Sequence, residues 1–455
     1  MARYSQSVTA IFMIFGNCIN TIYGVDIIPD CPLPLPCECN GNQQTVYCSN
    51  KNLSSLPPIQ KSEGKWTFYL DGNGIETIPE NYFSGVSINF LSLENNAIST
   101  IGENAFLGSE NTLTFFHLEY NKLRELPSAI AKLKQLIAIS IQGNPISDFP
   151  ENVLRNLSSS LHLLSFGSES MTRWPKTMHL LPNLFSIDLY DVQFPELPDD
   201  VFALYKNNLT FLNFYNTGLT KLPSSLNDCR LISTMTFQGN KKLSANSITE
   251  SITEGLPFLT SIEFEDNGLT TLPSIFSKSD KIGRIYVNNE PIEYLRGDIF
   301  PPDFSKYLYY LPFNGTRLTR IPSVLSNLDS LQALSITNSQ IFEIQDNDCS
   351  RFFNLGVLFL SYNPLTQISE NAFMNNKRLG DLLLDHTNLT TIPKALLKAQ
   401  SLQTVDMTSS PVECTCASLG WMKSWKGIPS FYGNCVNLNG TSLMTYLKNE
   451  VPNCP

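Results

Sequence analysis

Leu113-Thr114-Phe115-Phe116-His117-Leu118-Glu119-Tyr120-Asn121-Lys122-Leu123 decides the fold, because its pattern returns along the chain. Leu136-Ile137-Ala138-Ile139-Ser140-Ile141-Gln142-Gly143-Asn144 repeats it directly, and Leu355-Gly356-Val357-Leu358-Phe359-Leu360-Ser361-Tyr362-Asn363 repeats it far downstream. The frame recurs about every 24 residues, with apolar residues at positions 1, 4, 6, 11 and 14. Its middle alternates in the manner of a strand, so each repeat predicts one short strand with positions 2, 3, 5, 7 and 8 on the outer face. Aligning on position 9 gives fifteen repeats, at Asn73, Asn96, Asn121, Asn144, Glu169, Val192, Thr217, Asn240, Asn267, Glu290, Thr316, Ser339, Asn363, Thr387 and Ser410. Stacked at roughly 4.8 Å per strand, they span about 70 Å of arc.

Self-similarity of this length and consensus is that of leucine-rich repeats. The expected fold is therefore an α/β-type repeat solenoid, a horseshoe with a concave parallel β-sheet and a mostly irregular or short-helical convex side. Such a stack presents a broad surface and builds no small cleft.

The Asn at position 9 has a physical purpose, since a buried amide can bond backbone groups of adjoining turns. Ser and Thr can still bond locally. Glu169, Val192 and Glu290 are expected to do this poorly, leaving local distortion. The return path comes in two alternating types. One carries Pro, as in Leu126-Pro127, Leu222-Pro223, Leu272-Pro273, Ile321-Pro322 and Ile392-Pro393; the other reads Glu103-Asn104-Ala105-Phe106 or Glu370-Asn371-Ala372-Phe373. Two steps are longer, around Lys241–Pro257 and Arg296–Lys306, and put extra length into edge loops.

Composition narrows the setting. A formal net charge of −10 argues against nucleic acid or an anionic membrane surface as partner. Arg3, the apolar run Val8–Phe15 and Ile22-Tyr23-Gly24 read as a secretory signal over residues 1–24, with no membrane span or lipid-anchor signal elsewhere. Eleven cysteines include Cys18 in that segment and two terminal clusters, Cys31, Cys37, Cys39 and Cys48, then Cys414, Cys416, Cys435 and Cys454. In a secreted chain such clusters imply disulfides, with three connectivities open in each. Cys229 and Cys349 fall in apolar frame slots and are expected to be buried free thiols. Sequons at Asn52, Asn156, Asn208, Asn314, Asn388 and Asn439 predict a glycoprotein.

Cys31-Pro32, Cys37-Glu38-Cys39 and Val46-Tyr47-Cys48-Ser49 resemble the N-terminal cap of extracellular leucine-rich-repeat proteins. Ser410-Pro411-Val412-Glu413-Cys414-Thr415-Cys416, Leu419-Gly420-Trp421-Met422, Cys435 and Cys454 resemble their C-terminal cap, with Val412 where that family commonly has Trp. The resemblance implies the pairs Cys31–Cys39, Cys37–Cys48, Cys414–Cys435 and Cys416–Cys454. It divides the chain into a signal (1–24), an N-terminal cap (25–60), repeats (61–409) and a C-terminal cap (410–455). The layout also resembles arthropod secreted proteins similar to the non-catalytic subunit of oplophorus-luciferin monooxygenase, which would imply an accessory role.

No catalytic constellation emerges. Of the four histidines, His117, His162 and His386 fall on strand-face positions in different repeats and His179 on a return path, and no metal-ligand spacing, phosphate loop or nucleophile elbow is present. Neither an enzyme nor a cofactor is expected. Arg296-Gly297-Asp298 matches an integrin-type tripeptide but falls on a turn expected to be tight. The outer strand face is more informative. It holds eleven acids (Asp71, Glu94, Glu119, Asp188, Asp191, Glu263, Glu265, Asp266, Asp381, Asp385, Asp406) and one base, Arg284. Aromatics share it, among them Tyr69, Phe90, Phe115, Tyr120, Tyr190, Tyr215, Tyr286 and Tyr362. The candidate binding residues are Tyr69, Asp71, Phe90, Glu94, Phe115, Glu119, Asp188, Tyr190, Tyr215, Glu263, Glu265 and Tyr286. A one-signed face with aromatic anchors predicts a basic extracellular protein or peptide as partner. The alternatives are an accessory subunit of a secreted enzyme and an extracellular matrix component.

Overall fold

The computed structural model describes residues 31–252, 256–276, 279–301, 304 and 306–455; the signal segment, Cys18 and the first residues of the N-terminal cap lie outside them. Eighteen strands join in one sheet among these residues. A hairpin, Glu38–Asn40 with Thr45–Tyr47, opens it. From there every neighbour is parallel, through Ser62–Tyr69, Val86–Ser92, Phe115–His117, Ala138–Ser140 and Leu163–Phe166 to Thr404–Asp406 and Ser430–Tyr432. Each strand is followed by a return path on the opposite side, which is the expected horseshoe.

Inward residues at positions 1, 4, 6, 11 and 14 build one continuous core. Phe116, Leu118, Leu136, Leu358 and Leu360 are all buried, and Phe214, Phe237 and Phe264 stack at position 6 with ring centres 5.5 Å apart. Burying one such side chain contributes about 1.5–3 kcal/mol, so the core grows with each repeat added. Cys229 and Cys349 are buried free thiols in that core, as their frame slots predict. Burial, together with neighbouring Asp228, pushes the Cys229 thiol up to about 12.

The two return-path types fold differently. Pro127, Pro223, Pro322 and Pro393 each stand at the N-cap of a single-turn 3₁₀ helix: Ser128–Lys132, Ser224–Asp228, Ser323–Asn327 and Lys394–Lys398. The ring fixes φ and the missing N–H costs nothing at a helix start. The other type places a two-residue strand before its turn, pairing Thr77–Ile78 with Thr100–Ile101 and Glu343–Ile344 with Gln367–Ile368. The longer step near Lys241 holds a helix, Ala245–Ser251, capped by the Ser244 hydroxyl.

The position-9 ladder is present. Asn121 donates from Nδ2 to the carbonyls of Leu93 (2.9 Å), Leu118 (3.1 Å) and Glu119 (3.1 Å), and its Oδ1 accepts from the Ile98 N–H at 2.9 Å. One expectation is corrected here. Glu290 fills the ladder well: Oε1 accepts from the Asn267 N–H (2.8 Å) and Nδ2 (2.7 Å), and Oε2 from the Leu269 N–H (2.7 Å). A carboxylate is acceptor-only, and the three groups that bond it here are all donors. Distortion does occur at Glu169, which is exposed, while the Ser168 hydroxyl turns in to bond the Ile146 carbonyl at 3.1 Å. Val192 leaves the ladder and packs in the core.

A second regularity sits at position 8. Asn95, Tyr120, Asp191, Asn216, Asp266, Asn289, Asn338, Tyr362, His386 and Ser409 all have φ between 49° and 61°, and Gly72, Gly143, Gly239 and Gly315 are likewise positive. The chain leaves the strand there through a left-handed residue, which explains the Gly, Asn and Asp so frequent at this position.

The caps close both ends. The disulfides are Cys31–Cys39, Cys37–Cys48, Cys414–Cys435 and Cys416–Cys454, the pairs the family resemblance implies. Asn121→Ala should destabilise the protein by about 3 kcal/mol, since several buried backbone groups lose their partner. Urea denaturation measures this, and a loss below about 1 kcal/mol would mean that the ladder contributes little.

Candidate functional site: the concave face

In-register parallel pairing turns each odd strand position into a row across the sheet. Position 5 runs Tyr69, Ser92, His117, Ser140, Ser165, Asp188, Asn213, Thr236, Glu263 and Tyr286. The candidate residues do share this face, but their surroundings divide them into three groups.

The first group lies on three adjacent strands near the N-terminal cap. Tyr47 stacks on Tyr69 (5.9 Å), Tyr69 meets Phe90 (5.3 Å), and Phe90 meets the His117 ring (5.3 Å). Beside this aromatic file, at position 7, stand Asp71, Glu94 and Glu119. Asp71 is well satisfied: it accepts from the hydroxyls of Ser49 and Ser92 and from the Glu94 N–H. Glu119 is only 6% exposed; its Oε1 contacts His117 Nδ1 at 2.8 Å, while its buried Oε2 has no partner among the described residues. Burial, then the Glu119 and Asp71 charges, hold the Glu94 carboxyl above the usual carboxylate range. Burial alone would lower the His117 pKa, but Glu119, Asp71 and Glu94 outweigh it and raise it above the ordinary histidine value. His117 is the member that sequence reasoning missed. The available signal was its place two residues before Glu119 on one strand, hence on the same face.

The second group is closed. Asp188 is buried, accepting from the Ser165 hydroxyl (2.7 Å) and Asn213 Nδ2 (2.6 Å), and burial raises its pKa. Tyr190 and Tyr215 are also buried and stack on each other at 4.3 Å. Two glycines set this geometry. A Cβ on Gly143 would meet the Tyr120 ring at 2.4 Å, and one on Gly167, at φ +127°, would meet the Tyr190 carbonyl oxygen at 1.9 Å. Asp188, Tyr190 and Tyr215 are thus interior members of the stack rather than an open binding surface. Asp191 and Asp266 belong to position-8 turns, where backbone conformation accounts for them.

The third group is half-buried and partly neutralised. Glu263 lies beside Glu265 and Arg284, whose guanidinium covers the Tyr286 ring at 4.5 Å. Burial, then Glu265, raises the Glu263 pKa while Arg284 opposes. Glu265 accepts from Asn288 Nδ2 (2.8 Å), Asn288 from Asn314 (2.6 Å), and Asn314 from Asn338 (2.7 Å), an amide ladder along position 7 that ends on the position-8 Asn338.

Comparison with known proteins agrees with this architecture. The model of the BspA type Leucine rich repeat region matches in six copies, over residues 67–178 and 311–415. A chain of the glycosylated Drosophila Toll–Spatzle complex superposes with TM-score 0.57 at 14% identity, covering 91% of this chain and 74% of that one. A leucine-rich-repeat protein of Leptospira interrogans gives 0.51 at 19% identity, covering 84% and 94%. This chain is a leucine-rich-repeat solenoid. Among known sequences, Mus musculus keratocan is 34% identical over 24% of this chain and 31% of its own length. Danio rerio leucine-rich repeat-containing protein 3B is 32% identical over 22% and 42%. The solenoid therefore spans less than half of either relative.

Other sequence features fall at the edges of this leucine-rich-repeat solenoid. Arg296 and Asp298 pair with each other in a tight turn at 2.8 Å, closing the tripeptide on itself. Asn52, Asn388 and Asn439 are exposed, Asn156 is exposed on the helix Glu151–Leu157, and Asn208 is half-buried. Asn314 differs, because its amide is a rung of the concave ladder.

Asp188→Asn should leave stability unchanged or higher near neutral pH. The new amide can donate to Asn213 once that side chain flips, giving Asn213 Oδ1 the partner it lacks. The sign follows from the raised carboxyl pKa: its stabilising contribution is full below the ordinary Asp value of 3.8 and is lost as pH rises through the folded value. Between pH 3.8 and the raised folded value, thermal stability should therefore decline less steeply in Asp188→Asn than in the parent, and an unchanged slope would contradict the assignment.

Proposed function

We propose that this solenoid is a secreted, non-catalytic binding protein whose concave face recognises a basic extracellular protein or peptide. The observation that carries the reading is the segregation of charge. Asp71, Glu94, Glu263, Glu265, Asp381, Asp385 and Asp406 remain half-buried on the concave side, and at repeat positions 2, 3, 5, 7 and 8 Arg284 is the one lysine or arginine among the described residues. A field of one sign steers an oppositely charged partner, and flanking Tyr and Phe provide anchors of low conformational entropy. Four disulfides support an oxidising, extracellular setting. No helix among the described residues is long and apolar enough to cross a membrane. The Toll–Spatzle chain that superposes on this solenoid belongs to a complex of two proteins, in keeping with recognition of a protein.

The tagged secreted chain, incubated in its native extracellular fluid at low salt, should retain a stoichiometric basic protein that elutes as salt rises. Glu94→Lys and Glu263→Lys, both at half-buried positions, should each weaken that retention roughly tenfold. Retention that ignores salt and both substitutions would overturn the electrostatic reading. An enzyme that stays bound through high salt would point instead to an accessory subunit.

A further inference from the structure

We propose that Asp71, Glu94 and Glu119, with the Tyr69–Phe90 rings beside them, form an arginine-recognition site in which His117 is a built-in competing cation. This rests on the concave-face reading above and names the one place where that face is equipped for a defined chemical group.

The three carboxylates sit at the same position of adjacent strands, linked by Gly72 N–H to Glu94 carbonyl and Asn95 N–H to Glu119 carbonyl bonds. Neighbouring strands are about 4.8 Å apart, so three like charges fall within reach of one ligand. No lysine or arginine pairs with any of them among the described residues. Among those residues the one side chain touching them that can carry a positive charge is the His117 ring, on Glu119. Glu119 is the second, independent sign of a missing donor, since it is 6% exposed with Oε2 unpartnered. Asp71 is held by Ser49, Ser92 and the Glu94 N–H, and Glu94 Oε1 accepts from Asn95 Nδ2 at 2.8 Å, so the donor this cluster lacks is the one for Glu119 Oε2; elsewhere on this face Asp188 has Ser165 and Asn213, Glu263 has Arg284, and Glu265 has Asn288.

The ring file selects the ligand. A guanidinium is planar, stacks on aromatic faces and forks onto carboxylates, whereas an ammonium is a compact, strongly hydrated point charge. An arginine laid along Phe90 at position 3 and Tyr69 at position 5 points toward the position-7 row, one pleat beyond Tyr69 on the same strand face.

His117 supplies the control. Neutral, it leaves the site with a surplus of negative charge; protonated, it neutralises Glu119 and repels an incoming guanidinium. The titratable groups facing it are Asp71 and Glu94 from the two preceding strands and Glu119 on its own; Ser140 and Gln142 on the far side carry no charge. Acidification moves His117, and Glu94 whose carboxyl pKa is also raised, toward their protonated forms, and both changes oppose a cation.

The test uses the full secreted chain and an acetylated Arg-Ala-Arg amide, with Lys-Ala-Lys and citrulline counterparts, followed by calorimetry and by amide shifts. The arginine peptide should bind roughly tenfold tighter than the lysine peptide and the citrulline peptide should not bind. Glu94→Gln and Glu119→Gln should each weaken binding about tenfold. Affinity should fall severalfold from about pH 8 to about pH 6, and His117→Phe, which keeps the ring contact with Phe90, should flatten that fall. Urea denaturation of each variant separates lost binding from lost folding. Equal affinity for arginine and lysine, or indifference to Glu94→Gln, would overturn the site. If the captured basic protein is then lost on Glu263→Lys alone, the concave-face reading stands without this site. If no basic protein is captured, that reading fails whatever the peptides do.

Discussion

Most turns of this solenoid are tied to their neighbours by a polar side chain at position 9, and the rest of the structure depends on that tie. The core residues are interchangeable apolar groups that would tolerate slippage between turns. A buried amide tolerates none, because one repeat's offset leaves carbonyls and N–H groups without partners at about 1–3 kcal/mol each. Asn144, for example, reaches the Leu118 carbonyl of the preceding repeat and accepts from the Leu123 N–H. Glu290 shows that the slot is defined by its donors rather than by asparagine, since a carboxylate satisfies three of them. Burial raises its pKa, opposed by those same hydrogen bonds.

Fixed register has a consequence for the concave face. Residues at one strand position become a row at the spacing of the sheet, so like side chains meet like. Aromatics then stack, amides form ladders, and acids crowd. Crowded acids are resolved in three ways here: interior hydrogen bonds around Asp188, a basic neighbour at Glu263, and a histidine at Glu119. The third leaves an acceptor unpartnered and is the least complete.

The chain's own pattern established the solenoid, the number of repeats, the interior placement of Cys229 and Cys349 and the terminal capping clusters. These follow from apolar periodicity, which a single sequence displays because it is local and repeated fifteen times. Its alternation also located the concave face and showed that acids and aromatics collect there. The same alternation misled at position 8, where Asp191 and Asp266 serve a left-handed turn; the frequency of Gly and Asn at that position was the overlooked clue.

Only the tertiary structure decided which concave residues are open. Asp188, Tyr190 and Tyr215 have the strand positions of surface residues, yet Gly143 and Gly167 let neighbouring chains and rings close over this part of the sheet. It likewise decided that His117 belongs with Glu119, Glu94 and Asp71, and that Glu290 is a ladder rung. The physical reason is that periodicity fixes direction, in or out, while burial and pairing depend on what the adjacent turn places about 4.8 Å away. That neighbour lies more than twenty residues off in sequence, and no pattern within one repeat contains it.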